Sequence, residues 1–433
     1  MSDMRFDTAK IHGGYNPADH NWSVNVPIYQ TAAYELGSVE RSDAMFAFNS
    51  DDALYTRLSN PTTDTLEARL VSMHPGATGA IALASGMAAV TYSLLNATGG
   101  QGRILASARL YGGSLDSFEQ VFEEFGIGAD VIDNPDDLSQ FENAIKDDTK
   151  CIYIESITNP NATVTDIEAV AKIAHAHDIP LIVDNTVATP YLLNPFDFGA
   201  DVVVYSATKQ LTGHGNVIAG LVVENGKFNW KNGKFPQFTK TPYFLEDLDG
   251  TKRDTLDIFP DNPFTGRIRA IHLNYLGAAI SPFTSYLVML GIETLSERLN
   301  KALETTKKII AFLETRDEVL WVKHPFAKGN PYSELAKKYT PKGAGTILSF
   351  GIKGDDENRK KLLEGVEIFG FQANIGDSRS LIINPTRTTH IELKPEYQKS
   401  ADIQDNTIRL SIGLEDADDL VEDLAQALDK AFS

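Results

Sequence analysis

A lysine amine, flanking hydroxyls and a glycine turn come together in Asp201-Val-Val-Val-Tyr205-Ser206-Ala207-Thr208-Lys209, followed by Gly213-His214-Gly215. Three consecutive valines and a tyrosine predict a strand buried on both faces. The strand end then carries a lysine beside small hydroxyl side chains. An ammonium at a buried strand end is costly unless something uses it. Desolvation or a nearby cation lowers an amine's pKa and makes it a nucleophile toward carbonyl carbon. The hydroxyls of Ser206 and Thr208 suit a phosphate. Amine and hydroxyls at one strand end fit pyridoxal 5′-phosphate (PLP) held as a Schiff base. A surface lysine that merely follows a strand is the competing explanation, and this stretch alone leaves both open.

PLP chemistry needs further parts, and each has a candidate. An acid must keep the ring nitrogen protonated. Asp184 ends the apolar run Pro180-Leu-Ile-Val-Asp184, and a carboxylate beside a pyridinium favours the charged ring. An aspartate capping the next segment is the alternative. Ser85-Gly86, between a strand and a helix, offers backbone N–H groups to a dianion, and Ser85 can cap; a plain strand-to-helix turn explains the same residues. Tyr111, before Gly112-Gly113, can stack on a ring or be a core tyrosine. His175 and His177 read as solvated surface, with no metal-ligand spacing around them. His214 reads as a turn residue.

The elements that must position these groups alternate. Strands are predicted at 80–84, 103–107, 129–132, 151–155, 180–184 and 202–205, and helices at 62–73, 87–96, 114–125, 135–145 and 167–177. The helix at 114–125 takes Leu115, Phe118, Phe122 and Phe125 as its apolar positions. Strand–helix alternation gives an α/β fold with a mostly parallel, doubly wound sheet. Ligands collect beyond the carboxyl ends of such strands, where Ser85, Tyr111, Asn159, Asp184 and Lys209 fall. Residues 1–60 read as an irregular N-terminal arm suited to wrapping a partner subunit. Residues 61–295 form the large domain, interrupted by a loop-rich insertion at 225–265 that includes Pro236, Pro242, Pro260 and Pro263. A long helical stretch at 282–314 bridges to a small α+β domain, 296–433. Its strands are expected at 345–350, 380–384 and 407–412, and its helices at 355–366 and 417–432.

Bulk composition narrows the function classes. A chain of 433 residues is long for one core, and 42% hydrophobic with 23% charged residues is a globular balance. The formal charge of −20 argues against phosphate-backbone binding as a main task, since nucleic-acid affinity rests on Lys and Arg. The lone cysteine, Cys151, forms no internal disulfide and fits a reducing compartment. Nothing around it would lower its pKa for catalysis. Met1–Asp7 lacks the apolar core of a signal peptide, and the richest apolar window, 81–95, is shorter than a membrane span. The expectation is a cytoplasmic protein with no membrane, nucleic-acid or metal partner.

Taken together, these stretches resemble the Cys/Met-metabolism PLP-dependent enzymes. The lysine motif, from Asp201 through Lys209-Gln-Leu-Thr-Gly213-His-Gly, fits that family throughout. So do Tyr55-Thr-Arg57…Asn60-Pro-Thr, Ala84-Ser-Gly-Met87, Leu110-Tyr-Gly-Gly113, Glu155-Ser-Ile-Thr-Asn159-Pro and Asp184-Asn-Thr. Gly376-Asp-Ser-Arg-Ser380-Leu, Thr388-Thr-His390 and Ile408-Arg-Leu-Ser-Ile-Gly-Leu-Glu415-Asp extend the likeness over nearly the whole chain. The resemblance implies an aspartate-aminotransferase-like large domain (PLP fold type I), usually in a homotetramer built from dimers with shared active sites. It implies that Lys209 carries PLP and that Ser85, Gly86, Met87, Ser206 and Thr208 cradle its phosphate, with Tyr55 and Arg57 reaching in from a neighbouring subunit. Tyr111 would stack on the ring and serve catalysis with Lys209. Asp184 would meet the ring nitrogen and Asn159 the 3′ oxygen. Arg409, with Ser380 and Asn159, would bind the substrate carboxylate.

Within the family, the insertion and Tyr111-Gly-Gly113 look like the O-acetylhomoserine sulfhydrylases; methionine γ-lyases have a cysteine where this chain has Gly112. Two departures, Asn384 before Pro385 (many relatives have His) and Arg387, are expected close to the substrate arginine and to bear on donor preference. The implied reaction is γ-replacement on O-acetyl-L-homoserine by sulfide or a thiol, in methionine and cysteine metabolism. Cystathionine γ-synthase or γ-lyase activity is the near alternative, and a non-catalytic PLP-binding protein the distant one. A nucleotide-binding dehydrogenase would need a GxGxxG turn after the first strand, which is missing.

Overall fold

The computed structural model describes residues 4–50, 52–241, 250–391 and 393–433. Part of the expected insertion, including Pro242, lies outside the described residues.

Among the described residues, three α-helices and a 3₁₀ turn (Pro17–His20) precede the first strand: α1 (Phe6–His12), α2 (Val39–Phe46) and α3 (Pro61–Met73). The expected irregular arm is thus partly helical. Its first turn docks on the chain itself. Ala9 and Lys10 are buried, and the Lys10 amine reaches Ser296 Oγ at 2.6 Å. Asn60 starts α3 by accepting from Thr62 N–H, with Pro61 at the first helical position, where its missing N–H costs nothing. Leu66, Leu70 and Met73 face the core as their spacing requires.

The large sheet has seven strands: β1 (Gly79–Leu83), β2 (Gly102–Ser107), β3 (Ile127–Ile132), β4 (Thr149–Glu155), β5 (Leu181–Asp184), β6 (Val202–Ser206) and β7 (Gly220–Glu224). Their order is β1-β7-β6-β5-β4-β2-β3. β3, β2, β4, β5 and β6 pair in parallel, while β7 runs antiparallel to both β6 and β1. β7 escaped the sequence pattern. It lies between the glycine turn and the loop-rich insertion, outside the strand–helix rhythm. Because β7 alone is reversed, the carboxyl ends of β1, β6, β5, β4 and β2 meet at one edge. Helices α4 (Gly86–Thr98), α5 (Gly112–Ser117), α6 (Leu138–Ala144) and α7 (Ile167–Ala176) connect these strands. The helix expected at 114–125 changes character after α5, continuing as a π-helical turn at Phe118–Phe122 and a 3₁₀ turn at Glu123–Phe125. Leu115, Phe118 and Phe122 are buried, but Phe125 is exposed.

A second sheet has five strands in the order β10-β11-β12-β9-β8: β8 (Val319–Lys323), β9 (Ile347–Ile352), β10 (Gly370–Phe371), β11 (Leu381–Ile383) and β12 (Thr407–Ser411). The helices Asp356–Gly365 and Ala417–Ala431 pack beside it. The expected bridging stretch is two helices, Pro282–Glu293 and Leu295–Leu313, parted at Thr294. The second crosses between cores. Leu295, Leu299 and Leu303 pack with the seven-stranded sheet, and Ile309, Ile310 and Leu313 with the five-stranded one.

Candidate active site

A cavity of about 360 Å³ opens at the carboxyl edge of the large sheet. Ser85, Gly86, Met87, Tyr111, Asn159, Asp184, Ser206, Thr208, Lys209 and Arg409, all singled out from sequence, line it. They come from both sheets. Arg409 lies on β12, the central strand of the small sheet.

The phosphate end is built by close approach. Ser85 Oγ accepts from Ala88 N–H and starts α4, so the leading amides of Gly86 and Met87 face outward without helical partners. A Cβ on Gly86 would stand 2.6 Å from Ser206 Cβ, so glycine is required for α4 to meet the end of β6. A Cβ on Gly220 would stand 2.0 Å from the Ser85 carbonyl, which lets β7 pass directly under the same turn. Thr208 Oγ accepts from Ala219 N–H at 3.0 Å and locks the β6 exit to β7. The turn after the lysine is held from the other side. Gly213 takes φ +72°, and Arg298 donates to the Gln210 and Leu211 carbonyls at 3.0 and 3.2 Å.

Lys209 Nζ donates to Asn374 Oδ1 at 2.7 Å. Burial, aided by the Arg409 cation, pulls its ammonium down to about 8. The amine is thus available as a base and nucleophile near neutral pH. Asp184 accepts from Thr186 N–H at 2.9 Å and from the Tyr153 hydroxyl at 3.2 Å, which fixes its carboxylate at the end of β5. Burial raises its pKa; a cation set against it would reverse that shift. Glu155, its neighbour in the β4–β5 register, is pushed well above the ordinary carboxylate range by burial and by Asp184.

Tyr111 stands half-exposed at the cavity wall, with its N–H donating to Glu155 Oε1 at 2.5 Å. A Cβ on Gly113 would come within 2.7 Å of the Tyr111 ring. A Cβ on Gly112 would sit 3.0 Å from the Thr389 carbonyl, so the backbone at 389 leaves little room for a larger residue at 112. Arg409 donates to Asn159 Oδ1 at 3.2 Å and to the Asn374 carbonyl at 2.8 Å. Its Nε is buried without a partner among the described residues, and burial draws the guanidinium down to about 9. A buried, under-satisfied fork facing a cavity is suited to an incoming carboxylate.

Three sequence expectations are placed elsewhere. Ser380 does not reach the cavity. Its N–H and hydroxyl both donate to the Glu415 carboxylate, at 2.7 and 2.8 Å, and its Oγ accepts from Gly413 N–H. Asn384 and Arg387 also lie outside it. Asn384 donates to the Asp405 and Thr407 carbonyls and accepts from Arg387 N–H, while Arg387 points to Asp356 at the surface. Tyr55 and Arg57 are not among the residues that line this chain's cavity; the guanidinium lies 5.0 Å from the Tyr55 ring centroid. His175 is not simply solvated: it bonds Asp201 at 2.9 Å. Conversely, the sequence pattern assigns no role to Asn374 or Glu155: Asn374 lies two residues before the Gly376 motif, and Glu155 has the place of a strand end.

An amine-bearing lysine and a buried aspartate at adjacent strand ends, over a helix N-terminus on a doubly wound sheet, define a PLP enzyme of fold type I. The chain belongs to the Cys/Met-metabolism PLP-dependent enzyme family, which it matches over residues 7–429. Among its relatives, the O-acetyl-L-homoserine sulfhydrylase of Leptospira meyeri is 38% identical over 98% of this chain and 96% of its own. The homocysteine synthase of Schizosaccharomyces pombe is 35% identical over all of both chains. A solved structure described as an O-acetylhomoserine (thiol)-lyase from Campylobacter jejuni, with an N′-pyridoxyl-lysine-5′-monophosphate, matches with a TM-score of 0.92. It is 37% identical and covers 98% of this chain and 100% of that one. A cystathionine γ-lyase from Lactobacillus plantarum matches at 0.83 and 30% identity, over 99% and 100%. The residues present fit PLP: the free amine, the paired hydroxyls and amides, and the buried acid each match one part of it.

Proposed function

We propose that this enzyme catalyses γ-replacement, converting O-acetyl-L-homoserine and sulfide, or a thiol, to L-homocysteine, or a thioether, and acetate. The Cγ–O bond breaks and a Cγ–S bond forms. The observation that carries this reading is Asn374, which touches both Lys209 Nζ and the Arg409 guanidinium. That brings the amine that would hold PLP and the cation that would hold a carboxylate within reach of one α-amino acid. The sulfhydrylase and homocysteine synthase relatives point to the same donor.

When bound, PLP supplies an electron sink for the carbon it activates. The protein's part is to place and move protons. Lys209 Nζ would hold the cofactor and is placed to take and return protons along the substrate chain. The Asp184 carboxylate would favour a positive charge at the ring nitrogen. Ser85, Gly86, Met87, Ser206 and Thr208 would hold the phosphate, Tyr111 would stack on the ring, and Asn159 would meet the 3′ oxygen. Arg409, with Asn159 and Asn374, binds and orients the substrate carboxylate.

The active unit in this proposal is a homotetramer of two dimers, with Tyr55 and Arg57 completing the neighbour's phosphate site. Support comes from their place outside the lining of this chain's own cavity and from exposed Trp22, Val24, Val39 and Phe46 in the same arm. The proposed division is an arm, 1–60, a large domain, 61–295, and a small domain, 296–433; support comes from the two separate sheets, whose strands lie within 79–224 and 319–411. A cytoplasmic setting fits the single buried thiol; among the described residues, no helix is long and apolar enough to cross a membrane.

A steady-state panel tests the reading. O-acetyl- and O-succinyl-homoserine and O-acetylserine are each paired with sulfide, methanethiol and cysteine. The highest kcat/KM is expected for O-acetylhomoserine with sulfide. A clear preference for O-succinylhomoserine with cysteine would replace it by a cystathionine γ-synthase.

A further inference from the structure

We propose that Glu155 is a positioning residue whose carboxyl ties the backbone of Tyr111 to that of Asn159, and so fixes two groups that bracket the cofactor. Its Oε1 accepts the Tyr111 N–H at 2.5 Å, and its Oε2 accepts the Asn159 N–H at 3.3 Å. These amides belong to different connections, one after β2 and one after β4. Both lie beyond the β2–β4 pairing, which ends at Ala106 and Tyr153, and past that point the Glu155 carboxyl bridges the two amides. The side chain itself is well anchored. It leaves the last residue of β4 (Thr149–Glu155), whose carbonyl accepts from the Thr165 hydroxyl at 2.6 Å, and it is buried at the cavity wall.

The residue type follows from the donor count. Two N–H groups converge, so two acceptor atoms are needed. Glutamine offers one acceptor, and its NH₂ would face a backbone donor; an apolar residue offers none. Keeping a second acid beside Asp184 is costly, because two carboxyls in one buried site do not both ionise readily. A purely structural position would be filled more cheaply by an apolar side chain. The clamp is what this acid adds.

The inference rests on Tyr111 and Asn159 facing PLP, so its test includes them. Apoprotein of wild type, Glu155→Gln, Tyr111→Ala, Asn159→Ala and the double variant Glu155→Gln/Tyr111→Ala is titrated with PLP, following visible absorbance and circular dichroism. Leaving one buried donor unpaired in Glu155→Gln should weaken PLP binding roughly tenfold to hundredfold. It should also shrink the visible circular dichroism, with kcat falling more than KM rises. Because Glu155 acts through Tyr111 as well as Asn159, the loss in the double variant should fall clearly short of the product of the two single losses. Should the glutamine variant fail to fold, Glu155→Asp, one methylene too short to reach both amides, should show the same loosening. Glu155→Gln with PLP affinity and circular dichroism within twofold of wild type would overturn the clamp. So would full multiplication of effects in the double variant. If Tyr111→Ala and Asn159→Ala left PLP binding untouched, the assignment of those residues would fall first and the clamp with it.

Discussion

Replacing Arg409 by methionine separates substrate recognition from structure. The guanidinium is buried on β12, 2% exposed, and among the described residues it donates to Asn159 and the Asn374 carbonyl and to no carboxylate. Glu415, the acid that could have made it structural, is engaged by Ser380 instead. Burial draws the group well below its ordinary value, to about 9, which at about 1.4 kcal/mol per pH unit is a cost of about 5 kcal/mol for the charged form. Hydrogen bonds to charged groups return about 1.5–3 kcal/mol each, and Arg409 makes two. The net contribution to folding therefore lies within about 2 kcal/mol of zero. For a chain of this length that is about 2 °C in thermal midpoint. Catalysis should respond differently. Losing one side of a desolvated charge pair with the substrate costs roughly 2–5 kcal/mol, or about thirtyfold to several thousandfold in kcat/KM. Arg409→Lys should recover only part, since an ammonium makes no parallel pair of bonds. The measurements are kcat/KM, bound PLP and apoprotein melting for Met and Lys variants. A melting point lowered by ten degrees, lost PLP, or a lysine variant equal to wild type would mean that the arginine serves the fold and the carboxylate is held elsewhere.

Lys209→Ala should abolish both turnover and the visible absorbance of bound PLP without unfolding the chain; a variant that kept either would sink the assignment. Mixing inactive Arg57→Ala and Lys209→Ala subunits should restore up to about a quarter of wild-type activity, because half the dimers are hybrids with one complete site; none after verified exchange would exclude shared sites. PLP capture by apoprotein should speed up as pH rises through about 8, where Lys209 loses its proton. At pH 8 about half the amine is neutral, against about 0.3% for an unperturbed lysine. In Arg409→Met the rise should move to higher pH, because a neighbouring cation is gone, yet stay below 10.5 because burial remains. The same depressed value means that Lys209 opposes folding below pH 8 and ceases to do so as pH climbs toward 10.5. Melting that fell over this window in wild type but not in Lys209→Met would contradict the buried amine. Cys151, buried with its thiol pushed up to about 12, should not react with thiol reagents in the native fold; rapid labelling would show that β4 is open.

The cavity was legible in sequence wherever a residue sits at the end of a regular apolar run. Lys209, Asp184 and Ser85 follow strands whose burial is written in their composition, and strand ends on one edge converge by topology alone. Arg409 could be read as desolvated for the same reason. Ser380 failed because the end of β11 was identified without its turn. The hydroxyl faces back to Glu415, and Asn374, in an irregular segment with no periodicity, takes the place beside the lysine. Glu155 was invisible as a site residue because its partners are backbone amides, which carry no side-chain signature. β7 was missed for a related reason: a reversed strand after a glycine turn has no helix before it to mark its place. The arm's helix α1 depends on docking against α3 and on Lys10 meeting Ser296, 286 positions away, contacts that local pattern does not encode. Asn384 and Arg387, expected beside the substrate arginine as departures from the family pattern, bond instead to the Asp405 and Thr407 carbonyls and to Asp356.

The most direct test of γ-replacement is a mass balance on the holoenzyme with O-acetyl-L-homoserine, in the presence and absence of sulfide. Acetate, homocysteine and 2-oxobutyrate are quantified in the same samples. With sulfide, acetate and homocysteine are expected in equal amounts; without it, acetate release should nearly stop and 2-oxobutyrate stay negligible. Acetate release at the same rate without sulfide, matched by 2-oxobutyrate and ammonia, would contradict γ-replacement and make the enzyme a γ-lyase.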